Sequence, residues 1–351
     1  MLTDLVTTNR LIPGVAIHVE MPPIGVSWSG AAGLSDVARR TPLKAANPVR
    51  IASNTKTFVA VAILRLWEQG RLDLDAPIAE YLSAEYLAVL SRGGYTPETM
   101  SPRHLLTHTS GLYDYSDSEE FYKACAANPK RRWTRLEQVQ GAMDWGRPYG
   151  APGAVYSYSD TGYLLLGEIL ERRTGLSMGM ALRDLVGYQD HRLTATWLET
   201  LEPEPPGILD RAHQYEGNRD TYDDDPSSDL YGGGGLASTV TDLALFMRSV
   251  FMNEVFAQPA TLDTMLSTIP GTIAGPPSYG QTQMPGEYRM GVFVRELEGV
   301  TVHLHTGYWG TLAAYVPSLD LAIGISVTQQ QTREAREIIL QRILELMKSE
   351  R

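Results

Sequence analysis

One stretch near the start of the chain limits the fold more than any other. Residues 53–69 read as a single helix, stopped by Gly70. Its body, Phe58-Val59-Ala60-Val61-Ala62-Ile63-Leu64, is apolar nearly all round. A helix of that kind is buried rather than laid on a surface. The chain has 351 residues, which is ample to bury a core. Strands are predicted before the helix at 14–19 and 24–33, and near the other end at 288–296, 300–305, 312–317 and 320–327. Between them the clearest helical stretches are 102–108, 134–144, 160–173 and 239–252, and an amphipathic helix over 332–348 closes the chain. The Pro- and Asp-rich segment 199–231 reads as a surface excursion, a loop or a lid. Strands at both ends with helices between them predict an α+β fold. The ends should meet in one antiparallel sheet flanked by helices, with a helical lobe inserted. About 1–70 and 286–351 would form the α/β lobe, and about 71–285 the mainly helical one.

The buried helix opens on Ser53-Asn54-Thr55-Lys56. A Ser-x-x-Lys match arises by chance roughly once in a chain this long. Here the setting adds weight, because the chain has only five lysines and Lys56 is the one that opens the apolar helix. A buried lysine is costly unless paired or neutral. The i, i+3 spacing sets both side chains on one helical face. A desolvated lysine can accept a serine proton, and the helix N-terminus offers free N–H groups beside the nucleophile. The same residues also fit a plain N-cap serine with a lysine reaching solvent.

Two further clusters carry chemistry. Tyr156-Ser157-Tyr158-Ser159-Asp160 follows Ala151-Pro152-Gly153 and precedes an apolar helix. A tyrosine at such a junction can shuttle protons beside a lysine, while Asp160 can cap the helix. His305-Thr306-Gly307-Tyr308-Trp309-Gly310 ends a predicted strand. Its glycines admit close backbone approach, and an edge N–H can face a developing oxyanion.

Other signals point elsewhere less clearly. His104 and His108 stand four apart, but no third metal ligand accompanies them, and no metal is expected. Tyr231-Gly-Gly-Gly-Gly-Leu236 lacks the Gly-Lys-Ser/Thr of a phosphate loop and reads as backbone approaching a cleft. Asp223-Asp224-Asp225 reads as a solvated loop. The single cysteine, Cys125, excludes an internal disulfide and reads as a small helix residue. A net charge of −11 disfavours nucleic acid and acidic membranes as partners. No stretch is read as a signal peptide or membrane span, so a cytoplasmic location is expected.

Taken together, Ser53-x-x-Lys56, Tyr158-Ser159-Asp160 and His305-Thr306-Gly307 resemble the class C β-lactamase and serine DD-peptidase superfamily, which also holds esterases and D-amino-acid peptidases. Ile51–Phe58, Arg71–Ile78, Leu105–Leu112 and Gly233–Leu243 resemble further family segments in the same order. The resemblance implies a β-lactamase/transpeptidase-like fold and acyl transfer through Ser53, with no cofactor. It implies that Lys56 and Tyr158 share acid–base work. The backbone N–H groups of Ser53 and Tyr308 would form the oxyanion hole. Thr306 and Gly307 would bind a small-molecule or short-peptide substrate. His305 would stand at the third-motif position, where β-lactamases usually carry lysine. A histidine there is mostly neutral at pH 7 and holds a substrate carboxylate less firmly, which argues against efficient β-lactam hydrolysis. Asp160 replaces the usual asparagine. Its carboxylate would favour a charged Lys56, or attract the ammonium group of a substrate.

Overall fold

The computed structural model describes residues 2–278 and 284–349. Its centre is a seven-stranded antiparallel sheet. The strand order is Phe293–Leu297, Val300–Thr306, Thr311–Val316, Leu321–Val327, Gly14–Met21, Val26–Asp36 and Thr41–Pro42. The two ends of the chain thus meet where Val15 pairs with Val327 and Glu20 with Ala322.

The sheet buries two unlike faces, and the alternation of side chains explains why. Val15, Ile17 and Val19 point one way with Leu321, Ile323 and Ile325. That face is covered by Ile339, Leu340, Ile343 and Leu344 of the C-terminal helix Ala335–Ser349, and by Leu2, Leu5 and Val6 of the short helix Leu2–Thr8. Ala16, Ala313 and Ala322 point the other way. Small residues let the helix Val240–Phe251 lie close on this face. A Cβ on Gly324 would stand 2.0 Å from the carbonyl oxygen of Val240.

The apolar helix runs from Thr55 to Glu68 and is buried from Thr55 through Leu64. Phe58 stacks on Phe246 with ring centroids 3.6 Å apart. The helices Asp160–Thr174 and Met178–Val186 pack on its remaining flanks. A three-stranded patch, in the order Val49–Arg50, Leu236–Ser238, Trp197–Leu198, holds the segment that enters this helix. Strands of two or three residues have no periodicity to read, so this patch is absent from the sequence-based expectation.

Other differences have local causes. The strand expected from residue 288 begins at Phe293. Gly291 lies at φ +78°, and its carbonyl accepts the Thr57 hydroxyl at 2.7 Å, so the chain bends across the buried helix there. The helix expected over 102–108 ends at Leu106, and His108 takes φ +55°. The segment 199–231 is a cleft wall rather than a plain excursion. Arg50 grips it with a fork on Glu199, 2.7 and 3.1 Å, and bonds to the carbonyls of Thr221 and Asp224. Within it Asp224 pairs with Arg219 at 2.5 Å and Asp225 caps the turn Pro226–Asp229, so of Asp223–Asp225 only Asp223 is exposed. Among the described residues no helix is long and apolar enough to cross a membrane.

Candidate active site

Ser53 sits in a single 3₁₀ turn, Ala52–Asn54, that runs directly into the buried helix. The turn starts from Ala52 at φ +46°, a strained position for a residue with a Cβ. Surrounding bonds hold it there. The Asn54 amide donates to the Ile51 carbonyl at 3.0 Å and to Thr311 Oγ1 at 2.8 Å. Thr311 donates in turn to the Ile51 carbonyl at 3.0 Å. The Ile51 N–H reaches the Leu236 carbonyl, also at 3.0 Å. The turn is thus tied to the strand Thr311–Val316 and to the short three-stranded patch at once.

Lys56 is fully buried one turn on. Its Nζ lies 2.9 Å from Ser53 Oγ, 2.6 Å from the Gly233 carbonyl and 2.5 Å from Asp160 Oδ1. The first two are hydrogen bonds and the third is an ion pair. The rings of Tyr158 and Tyr163 close over it, with centroids at 5.0 and 5.6 Å. The glycine run 232–235 therefore does approach the cleft, and it delivers one of the lysine's acceptors. Asp160 opens the helix Asp160–Thr174, where a negative charge suits the helix dipole. Its second oxygen is 3.3 Å from the Ser116 hydroxyl, which also lies 2.9 Å from Asp114. Asp160 is thus engaged by Lys56 rather than presented as an open carboxylate for an incoming amine.

The Tyr158 phenol hydrogen-bonds to the Ser53 side chain. Burial, and then the Asp160 charge, hold its pKa well above the ordinary value, so the resting group is a phenol. His108 packs beneath it at 4.1 Å between centroids. The Ser159 N–H donates to His108 Nδ1 at 3.1 Å, which puts the ring proton on Nε2. The His104–His108 pair is split by this arrangement. His104 turns back to accept the Ser101 N–H at 3.1 Å in a helix cap, while His108 faces the site. Its role as a platform for Tyr158 was not read from the sequence, although it lies in the Leu105–Leu112 segment singled out there.

His305 lies near the end of the strand Val300–Thr306 and is buried. Its Nδ1 lies 2.9 Å from the Thr306 carbonyl and its Nε2 3.1 Å from the Tyr288 hydroxyl. These partners assign the proton to Nδ1 and make Tyr288 the donor to Nε2. Burial, aided by the nearby Lys56 charge, lowers the His305 pKa to about 3. The ring is neutral at physiological pH and carries no fixed charge into the site. Gly307 presses against the nucleophile turn. A Cβ there would stand 2.2 Å from the Ile51 carbonyl oxygen and 2.3 Å from Thr311 Oγ1. The buried guanidinium of Arg336 donates to the carbonyls of Gly307 and Thr311 and so fixes this loop from behind. The Tyr308 N–H donates to no backbone acceptor among the described residues.

These groups open on one cavity of about 520 Å³, lined by Ser53, Tyr158, Asp160, His305, Thr306 and Tyr308 among others. Cys125 also lines it from the helix Glu119–Ala127. Burial pushes its thiol up to about 11, so the thiol is protonated near neutrality. Two carboxylates at the cleft escaped the sequence reading. Asp114 is fully buried, and burial with the Asp160 charge raises its pKa well above the usual range. Asp229 lines the cavity, and the same two causes raise it to about 7. Neither belongs to a periodic element or a recognisable motif.

Several known proteins resemble this chain along much of its length. Esterase EstB from Burkholderia gladioli is 27% identical over 357 residues, covering 91% of this chain and 85% of that protein. The human mitochondrial serine beta-lactamase-like protein LACTB is 26% identical over 339 residues, and the match spans 74% of this chain but only 60% of LACTB. Among solved structures, the D-amino acid amidase from Ochrobactrum anthropi SV3 superposes with a TM-score of 0.80 at 23% identity, over 99% of this chain and 97% of that one. That likeness establishes the fold alone. The Beta-lactamase family model matches residues 5–348. The chain belongs to the Beta-lactamase family, whose members are serine hydrolases.

Proposed function

We propose that the chain hydrolyses small amides and esters through an acyl-Ser53 intermediate, with D-amino-acid amides or peptides as the favoured class. The observation that carries this reading is the position of Lys56 Nζ, within 2.9 Å of Ser53 Oγ and held by Gly233 and Asp160. A plain N-cap serine would have no use for a buried ammonium so close.

Ser53 Oγ attacks the carbonyl carbon of the substrate once the Lys56 ammonium has passed a proton to Asp160, and the resulting Lys56 amine takes the Ser53 proton. Lys56 takes part as acceptor because Asp160, 2.5 Å away, can share its proton. Tyr158, a phenol at rest, is the donor to the leaving amine or alcohol. The N–H groups of Ser53 and Tyr308 receive the oxyanion, an interaction worth roughly 10²–10³ in rate for one donor. Water then attacks the acyl-enzyme, with the same pair acting in reverse. Neutral His305 orients Tyr288 and supplies no charge for a substrate carboxylate, which disfavours β-lactams. The esterase and amidase activities named for the relatives support the same substrate range.

A hydrolysis screen tests the reading. It uses p-nitrophenyl esters, D- and L-aminoacyl p-nitroanilides and a chromogenic cephalosporin. Turnover of esters and D-aminoacyl anilides above the cephalosporin is expected. A cephalosporin turned over faster than every ester and anilide would overturn it.

A further inference from the structure

Charges around Lys56 do not balance, and the imbalance points to a ligand. Three carboxylates surround the site: Asp114, Asp160 and Asp229. Lys56 is taken by Asp160 at 2.5 Å. The nearby cation Arg50 is forked onto Glu199. Asp114 receives the Ser116 N–H at 3.1 Å and the backbone N–H of Asp160, so it has donors of its own, and burial with the Asp160 charge raises its pKa well above the usual range. Asp229 is different. Its Oδ1 is buried and receives no hydrogen bond from any described residue. No described cation forms an ion pair with it. Lys56 and Arg50 act on it only at a distance. Yet it lines the same cavity as Ser53 and Asp160. Asp229 as a whole is part-buried, but an enclosed carboxylate oxygen without a donor is costly unless a ligand brings compensating charge.

We propose that Asp229 is a specificity-determining residue that receives the ammonium group of the substrate, placed next to the scissile carbonyl. This rests on the acyl-Ser53 reading above. An α-ammonium is two bonds from the carbonyl carbon that Ser53 attacks. Its acceptor must therefore stand close to Lys56 and Tyr158, and Asp229 acts electrostatically on both. The ammonium approaches the Asp229 carboxylate from the cavity it lines and brings a positive charge to it. Asp229 lies at the end of the turn Pro226–Asp229, which is anchored because Ser227 Oγ accepts the Trp133 N–H at 2.7 Å and the Ser228 carbonyl accepts the Tyr115 hydroxyl at 3.0 Å. The carboxylate is therefore presented from a fixed wall.

The test compares D-alanine p-nitroanilide with propionyl p-nitroanilide, which lacks only the amine. The readout is the ratio of their kcat/KM values at pH 8. A charge-assisted hydrogen bond of this kind is worth about tenfold to hundredfold. Asp229→Asn should lower the ratio by that factor, and Asp229→Glu should restore part of it. A ratio in Asp229→Asn within threefold of wild type overturns the proposal, whatever happens to the absolute rates. A second measurement needs only the unmodified protein. Inhibition by 1-aminoethylboronic acid should be at least tenfold tighter than by ethylboronic acid, and equal inhibition overturns the proposal. Fluorophosphonate labelling of Ser53 separates the two failures. Labelling with an unchanged ratio sinks the Asp229 role alone, whereas no labelling of the wild type sinks the acyl-serine reading and this role with it.

Discussion

Replacing Lys56 with methionine should destabilise the fold as well as stop the chemistry. Methionine fills nearly the same volume but leaves Ser53, Gly233 and Asp160 without their donor. Lys56 has no exposed side-chain surface and that of Asp160 is 5% exposed, so solvent cannot take over. Removing one partner of a buried ion pair costs about 3–5 kcal/mol, mostly because the other charge is stranded. Removing the stranded charge as well should recover part of that loss. The double variant Lys56→Met/Asp160→Asn is therefore expected to be more stable than Lys56→Met alone, with a coupling energy of about 2–3 kcal/mol. Guanidinium unfolding of the wild type, both single variants and the double variant gives the cycle. A loss below about 1 kcal/mol in Lys56→Met, against the figure expected for a buried pair, would refute this account of the site. So would a double variant no more stable than that single variant.

Two other expectations concern His305 and Gly307. Gly307→Ala puts a Cβ 2.2 Å from the Ile51 carbonyl oxygen, so the strand must retreat by about an ångström from the nucleophile turn. Displacement on that scale lowers kcat/KM about hundredfold, and a loss under threefold in steady-state assays would contradict the packing described. His305 should stay neutral far into acid, with its side-chain ¹⁵N resonances unmoved until pH approaches about 3. The unfolded chain protonates this residue near its ordinary value of 6.5, so stability falls as pH drops from there toward 3. In His305→Asn that part of the slope should flatten, and an identical slope in thermal melts would argue against it.

The fold and the heart of the site were legible for physical reasons. An all-apolar helix must be central, and a lysine at its mouth must find partners. Alternating strands near both ends of the chain had to pair with something, and they pair with each other. What the sequence withheld were contacts made by single polar residues in loops. The Gly233 carbonyl meets Lys56 and the His108 platform meets Tyr158 across long stretches of chain, while the Asp114 and Asp229 carboxylates act on the pair through their charge. No periodicity marks such residues. Asp160 shows the same gap from the other side. Its motif position was visible, but only the folded chain shows that its Oδ1 lies on Lys56. The bend at Gly291 and the split of His104 from His108 depend on left-handed backbone at Gly291 and His108. Local pattern reading does not anticipate such turns within what resembles a strand or a helix.

The central claim is that Ser53 is acylated during turnover. Intact-mass measurement after treatment with a fluorophosphonate tests it directly. One adduct per chain is expected on the wild type, and none on Ser53→Ala. A wild-type chain that remains unmodified, or an adduct that persists in Ser53→Ala, would contradict it.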